Sequence, residues 1–166
     1  MNYLSDQNIE PAKLLVTTIG TMLGIGILSF LSMEYNAPVL VASFGATAVL
    51  IYGIPESPLA RPKNVFFGHM ISAFVGVACS MILGCSWYSM AIAVTIAIIL
   101  MTITGTLHPP GGATALICVM YSASLSFILS PILVGVITMM MMIGSFVKRS
   151  YGCIDSKKKA EGLSGT

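Results

Sequence analysis

The stretch TLHPPGGATAL, from Thr106 to Leu116, gives the strongest indication of a helix boundary in this chain. Pro109 and Pro110 have no backbone N–H group and resist a helix that arrives from the N-terminal side, but both fit the first turn of a new helix. The stretch therefore predicts a helix that begins near Pro109 or Pro110. Gly111 and Gly112 lie close to that start, where free N–H groups and the positive end of the helix dipole favour an anion.

The peptide Gly-Ala-Thr-Ala in this stretch also occurs 67 residues earlier (112 − 45), in SFGATAVLIY, Ser43 to Tyr52. Both copies lie inside an apolar run, although Gly and Thr are weak helix formers. Pro38 opens the earlier segment, which has the weaker start signal. Four small residues could recur by chance in a chain rich in Gly, Ala and Thr, but the surrounding segments also match in order and in flanking residues. The pair is therefore interpreted as an internal repeat.

The composition indicates an integral membrane protein whose main partner is the lipid bilayer. Of the 166 residues, 56% are hydrophobic and only 8% are charged, whereas soluble domains carry about 25% charged residues. No Asp, Glu, Lys or Arg occurs in the 84 residues from 64 to 147, which is enough for about four crossings at roughly 20 residues each. The only basic cluster in the sequence is a short tail, so nothing indicates binding of nucleic acid.

Turn residues and charges divide the chain into six apolar segments, at about 14–33, 37–54, 65–85, 88–106, 109–123 and 126–147. Four are long enough to span a bilayer, and the two that contain Gly-Ala-Thr-Ala are shorter, near the lower limit of about 17 residues. A short segment can cross, or return as a re-entrant half-helix, if protein or water shields its backbone from lipid. The predicted fold class is all-α: a polytopic helical membrane protein with four long and two short segments.

The basic residues favour six crossings over four. Arg61 and Lys63 lie in one loop and most of the others lie in the tail, so the positive-inside rule places an even number of crossings between two cytoplasmic groups. Residues 1–13 then form a polar N-terminal segment, 14–147 the membrane domain and 148–166 a basic cytoplasmic tail. The first apolar run is too long for a cleaved signal and lacks an Ala-x-Ala exit, so it is interpreted as a retained span.

Six crossings give the repeat a topology. The halves, about 14–85 and 86–147, each contain a long, a short and a long segment, with Gly-Ala-Thr-Ala in the short one. Because each half has an odd number of crossings, the second half enters from the opposite side. This is the 3+3 inverted repeat found among transporters. Two helix starts then approach a shared central region from opposite faces of the membrane.

The candidate substrate-binding residues lie at these two helix starts. Their backbone and side-chain groups offer neutral donors near positive helix ends, and they are Ser43, Gly45, Thr47, His108, Gly111, Gly112 and Thr114. Pro109 and Pro110 have the structural role of starting the helix. The alternative is that the small residues only allow close helix crossings, as small-xxx-small patterns do in membranes.

Apart from tyrosines and cysteines, His108 and His69 are the only titratable side chains in the uncharged stretch. An ionisable residue at membrane depth is by default a functional candidate. His108 could contact substrate, gate the path or pass a proton near neutral pH. His69, in FFGHMISAF, is interpreted mainly as an interfacial or helix-pairing residue. The sequence around either histidine contains no His-x-x-x-His or carboxylate cluster, so neither a metal nor a cofactor is predicted.

The acidic residues flank the apolar segments or lie beyond them, as Glu34 and Glu56 do. A cation transporter or proton pump usually needs a carboxylate at membrane depth. The lack of one in the sequence favours an anion or a small neutral solute as substrate. The sequence also contains no clear pair of nucleophile and base, so the chain is not expected to be an enzyme.

HPPGGATAL and PVLVASFGATAVLIYGIPESPLARPKNVFFGH together resemble the HPP family of integral membrane proteins, over roughly residues 12–147. His108, Pro109 and Pro110 correspond to the His-Pro-Pro motif after which the family is named. The resemblance implies four membrane spans, fewer than the six segments counted from the residues. Some members from cyanobacteria and plant chloroplasts are associated with nitrite transport, and most bacterial members have no assigned substrate.

The predicted function is an integral membrane transporter or channel for a small anion, nitrite-like, conducted past paired helix N-termini. The alternative is a non-transporting scaffold or accessory subunit whose Gly-Ala-Thr-Ala segments serve helix packing only. The expected location is the bacterial inner (plasma) membrane, with the N- and C-termini cytoplasmic. Assembly as a homo-oligomer is one way in which so small a chain could shield its short segments.

Overall fold

A computed structural model describes residues 10–34, 41–128, 135–137 and 148–160. Within these ranges the chain forms helices and no β-strand, which confirms the predicted all-α class. The helices are α1 (Pro11–Glu34), α2 (Val41–Ala48), α3 (Pro62–Leu83), α4 (Trp87–Ile103), α5 (Pro109–Met120), α6 (Leu125–Phe127) and α7 (Lys148–Ala160). Residues 135–137 are also helical.

Proline and glycine set the helix boundaries in the middle of the chain. α5 begins at Pro109, as predicted, and His108 before it has the extended backbone (φ −141°, ψ 101°) that a following proline favours. α3 begins in the same way at Pro62. Positive φ angles at Gly84 (71°) after α3 and at Gly105 (62°) after α4 end those helices, because glycine adopts this conformation without strain.

Two of the described helices, α1 and α3, are long and apolar enough to cross a membrane by length and composition. The shorter apolar helices are Ala42–Gly53, Trp87–Ile103 and Pro109–Met120. Each of the first five predicted segments therefore contains a helix of at least eight residues. Both segments with Gly-Ala-Thr-Ala form short helices, and α4, predicted as a full-length segment, has 17 residues. The sixth predicted segment, 126–147, lies mostly outside the described residues.

The end of α2 lies against the first turns of α1 and α7. α2 continues into a π-helical turn at Val49–Gly53, and a 3₁₀ turn follows at Pro58–Ala60. In the π-helical turn, the carbonyl oxygen of Tyr52 accepts hydrogen bonds from Oγ1 of Thr17 (2.7 Å) and from the hydroxyl of Tyr151 (3.3 Å). One backbone group of this π-helical turn thus links the first and last described helices.

Residues 148–160 of the predicted tail form α7, which packs against the start of α1. Nζ of Lys13 lies 2.6 Å from Oδ1 of Asp155, and Oγ1 of Thr17 lies 2.9 Å from the hydroxyl of Tyr151. The start of α1, the loop after α2 and α7 therefore lie at one end of the bundle. This is named the basic end, because it holds Lys13, Arg61, Lys63, Lys157 and Lys159.

α3 packs closely against α5 through a row of small residues. Gly68, Ser72 and Gly76 follow one another at four-residue spacing and so share one face of α3. A Cβ atom added to Gly68 would lie 2.5 Å from Cβ of His108, and one added to Gly76 would lie 2.7 Å from Cβ of Cys118. The two helices therefore run in the same direction, with backbones too close for larger side chains.

Candidate functional site

The threonines of the two Gly-Ala-Thr-Ala copies meet at one histidine. Oγ1 of Thr47, in α2, lies 2.8 Å from Nε2 of His69, and Oγ1 of Thr114, in α5, lies 2.8 Å from Nδ1 of the same ring. His69 lies about two turns into α3, between the two short helices. The repeat in the sequence therefore places two equivalent hydroxyl groups on the two sides of one imidazole.

His108 extends this group toward the loop after α2. Its Nε2 lies 3.2 Å from Oγ1 of Thr47, and its Nδ1 lies 2.9 Å from the carbonyl oxygen of Leu59. Leu59 is held in its 3₁₀ turn by Ser57, whose Oγ accepts a hydrogen bond from the Leu59 N–H (3.2 Å). The ring centroids of His69 and His108 are 5.0 Å apart. Four residues are named the polar cluster: Thr47, His69, His108 and Thr114.

All four residues of the polar cluster are fully buried. The charged residues closest to them along the chain, Glu56, Arg61 and Lys63, are exposed at the basic end. In the described part of the chain, no group of three or more His, Cys, Asp or Glu residues could hold a metal ion. The polar character of the site therefore comes from imidazole and hydroxyl groups rather than from ionised carboxylates or ammonium groups.

Comparison with known proteins places this site in a family. A family model for the HPP transmembrane region matches residues 6–152, which is most of the chain and includes the whole polar cluster. The chain belongs to the HPP family. The resemblance carried by the His-Pro-Pro motif is thereby confirmed, and the chain is an integral membrane protein.

Two relatives of this HPP protein are transmembrane proteins of Dictyostelium discoideum. One is 40% identical over 151 residues, which cover 81% of this chain and 53% of the relative. The other is 41% identical over 145 residues, which cover 76% of this chain and 47% of the relative. The chain thus spans about half the length of the curated relatives it matches. No solved structure matches it.

Three of the residues predicted to contact substrate come together in the HPP structure: Thr47, His108 and Thr114. Ser43 is buried beside them, and its carbonyl oxygen lies 3.0 Å from Oγ1 of Thr47. These residues come from α2 and from the His-Pro-Pro start of α5. Both helices that contain Gly-Ala-Thr-Ala therefore contribute side chains to one buried polar cluster.

The three predicted glycines lie outside the polar cluster. Gly111 packs on α3, where an added Cβ atom would lie 2.9 Å from the carbonyl oxygen of Gly68. Gly45 and Gly112 are partly exposed. Among the residues that the structure describes, an added Cβ atom would have no neighbour within 4 Å at Gly45, and its nearest neighbour at Gly112 would be 3.8 Å away. These two glycines therefore lie on other faces of their helices.

The first turn of α5 offers fewer N–H donors than a helix start usually does. Pro109 and Pro110 have none, and the N–H group of Gly111 donates to the carbonyl oxygen of His108 at 2.8 Å. The donors available in the polar cluster are therefore imidazole N–H and hydroxyl groups. The dipole of α5 still directs its positive end toward His108.

His69 and Leu59 are the members of the site that sequence reasoning understated or missed. From the sequence, His69 was interpreted mainly as an interfacial or helix-pairing residue. In the structure His69 is completely buried and contacts both repeat threonines. Its presence as one of only two histidines in the chain was the available signal. Leu59 contributes through its carbonyl oxygen, which no side-chain pattern indicates.

Asn64 adds a polar group near the basic end. Its Nδ2 donates to the carbonyl oxygen of Leu107 (2.9 Å), and its buried Oδ1 has no hydrogen-bond partner among the described residues. A groove on the outside of α3 and α4, by contrast, is lined by apolar side chains that include Phe66 and Phe74. Its composition suits contact with lipid rather than passage of a polar solute.

Proposed function

We propose that this HPP protein transports a small monovalent anion, nitrite-like, past the polar cluster. The observation that carries the proposal is the meeting of both repeat threonines and both histidines in one buried group that contains no carboxylate. Ionisable groups are costly within a membrane and usually mark a path for a solute or an ion. We assign the polar cluster a role in binding the anion and letting it pass. We assign it no role in catalysis or in holding a cofactor.

Neutral donors suit passage better than tight binding. A helix end attracts an anion by about 0.5–2 kcal/mol, and a hydrogen bond to a neutral donor contributes about 1 kcal/mol. These attractions can replace part of the hydration of an anion and still allow it to leave, as conduction requires. The hydroxyl and imidazole groups of the cluster are paired with one another, so an entering anion would exchange those bonds for bonds to itself.

We propose that the halves 14–85 and 86–147 form a 3+3 inverted repeat. α2 ends at the basic end, where Tyr52 contacts Thr17, whereas α5 begins on that side, where His108 contacts Leu59. The two short helices then run in opposite directions, and their equivalent threonines reach His69 from two sides. The positive-inside rule places the basic end in the cytoplasm. A bacterial inner membrane location and a homo-oligomer that shields the short helices belong to the same proposal.

Native cysteines test this topology. Cys85, between α3 and α4, and Cys153, in α7, are exposed, whereas Cys79 and Cys118 are buried. In the Cys153→Ser variant, a membrane-impermeant maleimide should label Cys85 from the periplasmic side. In the Cys85→Ser variant, it should label Cys153 only from the cytoplasmic side. Labelling of both cysteines from one side would contradict the proposed arrangement.

Thr47→Val tests the transport function. Valine keeps the shape of threonine but lacks Oγ1, which lies within hydrogen-bond distance of both histidines. Nitrite uptake into proteoliposomes should fall by roughly 10- to 100-fold, because two hydrogen bonds of about 1 kcal/mol each are lost. Thr95→Val is the matched control, since Thr95 is exposed on α4 and donates to the carbonyl oxygen of Ala91 in its own helix. It should retain wild-type uptake.

Two results would count against this function. Equal uptake by Thr47→Val and Thr95→Val would remove the polar cluster from the transport path. Wild-type uptake no faster than in empty liposomes would reject nitrite-like anions as the substrate class.

A scaffold or accessory subunit is the second candidate function. The closed state of the polar cluster favours it, because Thr47 and both histidines are buried and engage one another. A purely structural cluster predicts that Thr47→Val lowers thermal stability and that no variant changes a flux. It also predicts that a small water-borne thiol reagent does not modify position 114 of a Thr114→Cys variant in lipid, whereas a transport path would expose that position. The exposed Cys85 and Cys153 are replaced by serine in this variant, so that they do not react.

A further inference from the structure

The partners of His108 determine which of its ring nitrogens carries a proton. Nδ1 lies 2.9 Å from the carbonyl oxygen of Leu59, and a carbonyl oxygen can only accept a hydrogen bond. In a neutral His108, Nδ1 therefore carries the proton and Nε2 is an acceptor. Oγ1 of Thr47 lies 3.2 Å from Nε2 and 3.0 Å from the carbonyl oxygen of Ser43, so its one proton has two acceptors. The hydrogen bond between Thr47 and His108 forms when the Thr47 hydroxyl donates to Nε2.

The same reasoning continues through Thr47 to Thr114. A hydroxyl group has one proton. Whether Thr47 directs that proton to His108 or to Ser43, its Oγ1 accepts from Nε2–H of His69 at 2.8 Å. A neutral His69 protonated on Nε2 has an unprotonated Nδ1. The hydroxyl of Thr114 therefore donates to that nitrogen at 2.8 Å. The result is one chain of hydrogen bonds that all point the same way, from Thr114 to His69, Thr47, His108 and Leu59.

A second arrangement of protons, with one proton more, also gives each of these atoms a hydrogen-bond partner. If both nitrogens of His108 are protonated, Nε2 donates to Thr47, and Thr47 donates to Nε2 of His69. His69 then carries its proton on Nδ1 and donates to Thr114. The Thr114 hydroxyl in turn faces the carbonyl oxygen of Pro110, at 3.5 Å. The chain thus reverses its direction while every ring nitrogen keeps a partner.

We propose that this chain is a proton relay that delivers one proton to His108 with each anion transported, an inference that rests on the proposed transport function. A hydronium ion, or the conjugate acid of the anion, gives a proton to the Thr114 hydroxyl, whose own proton passes to Nδ1 of His69. Nε2 of His69 releases its proton to Thr47, and Thr47 releases its proton to Nε2 of His108. Each threonine hydroxyl breaks one O–H bond and forms another, and His69 breaks its Nε2–H bond and forms an Nδ1–H bond. His108 gains one N–H bond and one positive charge.

The anion is the natural counter-ion for the charge that His108 gains. In the described part of the chain, His69 is the only ionisable side chain in contact with His108. The other titratable or charged groups on the surrounding elements fall into two sets. Those in the apolar core are Tyr52, Cys79 and Cys118. Those exposed at the basic end are Glu56, Arg61 and Lys63. The relay ends at His108 because the carbonyl oxygen of Leu59 has no proton to pass on. The cycle closes when His108 releases one ring proton, to water or to the departing anion on the side of the basic end, and becomes neutral again.

Solid-state ¹⁵N NMR of the protein in lipid bilayers tests the relay without any anion, since the chain contains only two histidines. At neutral pH we expect His69 to be protonated on Nε2 and His108 on Nδ1. On acidification, His108 should become doubly protonated while His69 moves its proton to Nδ1. Thr47→Ser should retain this coupled change, and Thr47→Val should lose it. A His69 that keeps its Nε2 proton while His108 titrates would overturn the relay.

Proteoliposomes that contain a pH-sensitive dye test the coupling to transport. An inward nitrite gradient should bring about one proton per nitrite into wild-type vesicles, above the level of empty liposomes, and Thr47→Ser should keep that ratio. Wild-type nitrite uptake without proton uptake would overturn the relay and leave the proposed function in place. Absence of nitrite uptake would overturn the proposed function, and the imidazole spectra would then decide the relay by themselves.

Discussion

Gly68→Ala is expected to destabilise the protein by about 1–3 kcal/mol, the usual cost of adding a methyl group to a filled interior. The added Cβ atom would lie 2.5 Å from Cβ of His108 and 3.4 Å from the carbonyl oxygen of Thr106. Neither atom is the free end of a flexible side chain, so α5 must move away from α3. Such a shift would also change the distance between His108 and Thr47, and transport should fall together with stability.

Gly26→Ala is the matched control for this prediction. It makes the same chemical change within α1, and its Cβ atom would meet no atom of the described residues within 4 Å. Alanine favours a helix over glycine by up to about 1 kcal/mol, so this variant should be at least as stable as the wild type. The midpoint of thermal denaturation in lipid nanodiscs measures both effects. Equal midpoints for the two variants would show that the close packing of α3 and α5 does not limit stability.

The start of α5 could be predicted from sequence because its cause is local. Pro109 and Pro110 restrict their own backbone and that of His108, so the pattern needed no information from the rest of the chain. The short lengths of the two repeat helices followed in the same way from turn residues and composition. The close contact of Gly68 with His108 could not be derived, because glycine spacing shows only that some neighbour is near, and not which one.

The centre of the site could not be predicted because its contacts are not local. His69 bonds to threonines that are 22 and 45 residues away, and nothing in the apolar sequence around it shows which neighbours it faces. The repeat identified the two threonines as equivalent, but it did not indicate that a histidine lies between them. The π-helical turn at Val49–Gly53, whose Tyr52 carbonyl oxygen contacts α1 and α7, was not predicted from the sequence either.

His69→Ala is expected to reduce nitrite uptake per folded molecule by about 100-fold. The imidazole makes two hydrogen bonds, to Thr47 and Thr114. Losing about 1–1.5 kcal/mol for each bond corresponds to roughly two powers of ten in rate, at 1.36 kcal/mol per tenfold change. The proton relay would also be cut at its centre, so the remaining uptake should no longer be accompanied by protons.

Folding of this variant should be weakened but not lost. Removal of a buried ring leaves a cavity and costs about 2–5 kcal/mol in comparable cases. The two hydroxyl groups retain alternative acceptors in their own helices, since Oγ1 of Thr47 lies 3.0 Å from the carbonyl oxygen of Ser43 and Oγ1 of Thr114 lies 3.5 Å from that of Pro110. No buried donor is therefore left without a partner, and enough folded protein should remain for transport measurements.

Val65→Ala separates the packing effect of this change from its chemical effect. Val65 is fully buried one turn before His69 on α3, and its side chain is apolar. The variant should lose stability through a smaller cavity, and its uptake per folded molecule should stay within about twofold of wild type, because every member of the polar cluster is retained. If Val65→Ala and His69→Ala lowered uptake equally, the histidine would act through packing alone, and the scaffold interpretation of the cluster would be favoured over the transport path.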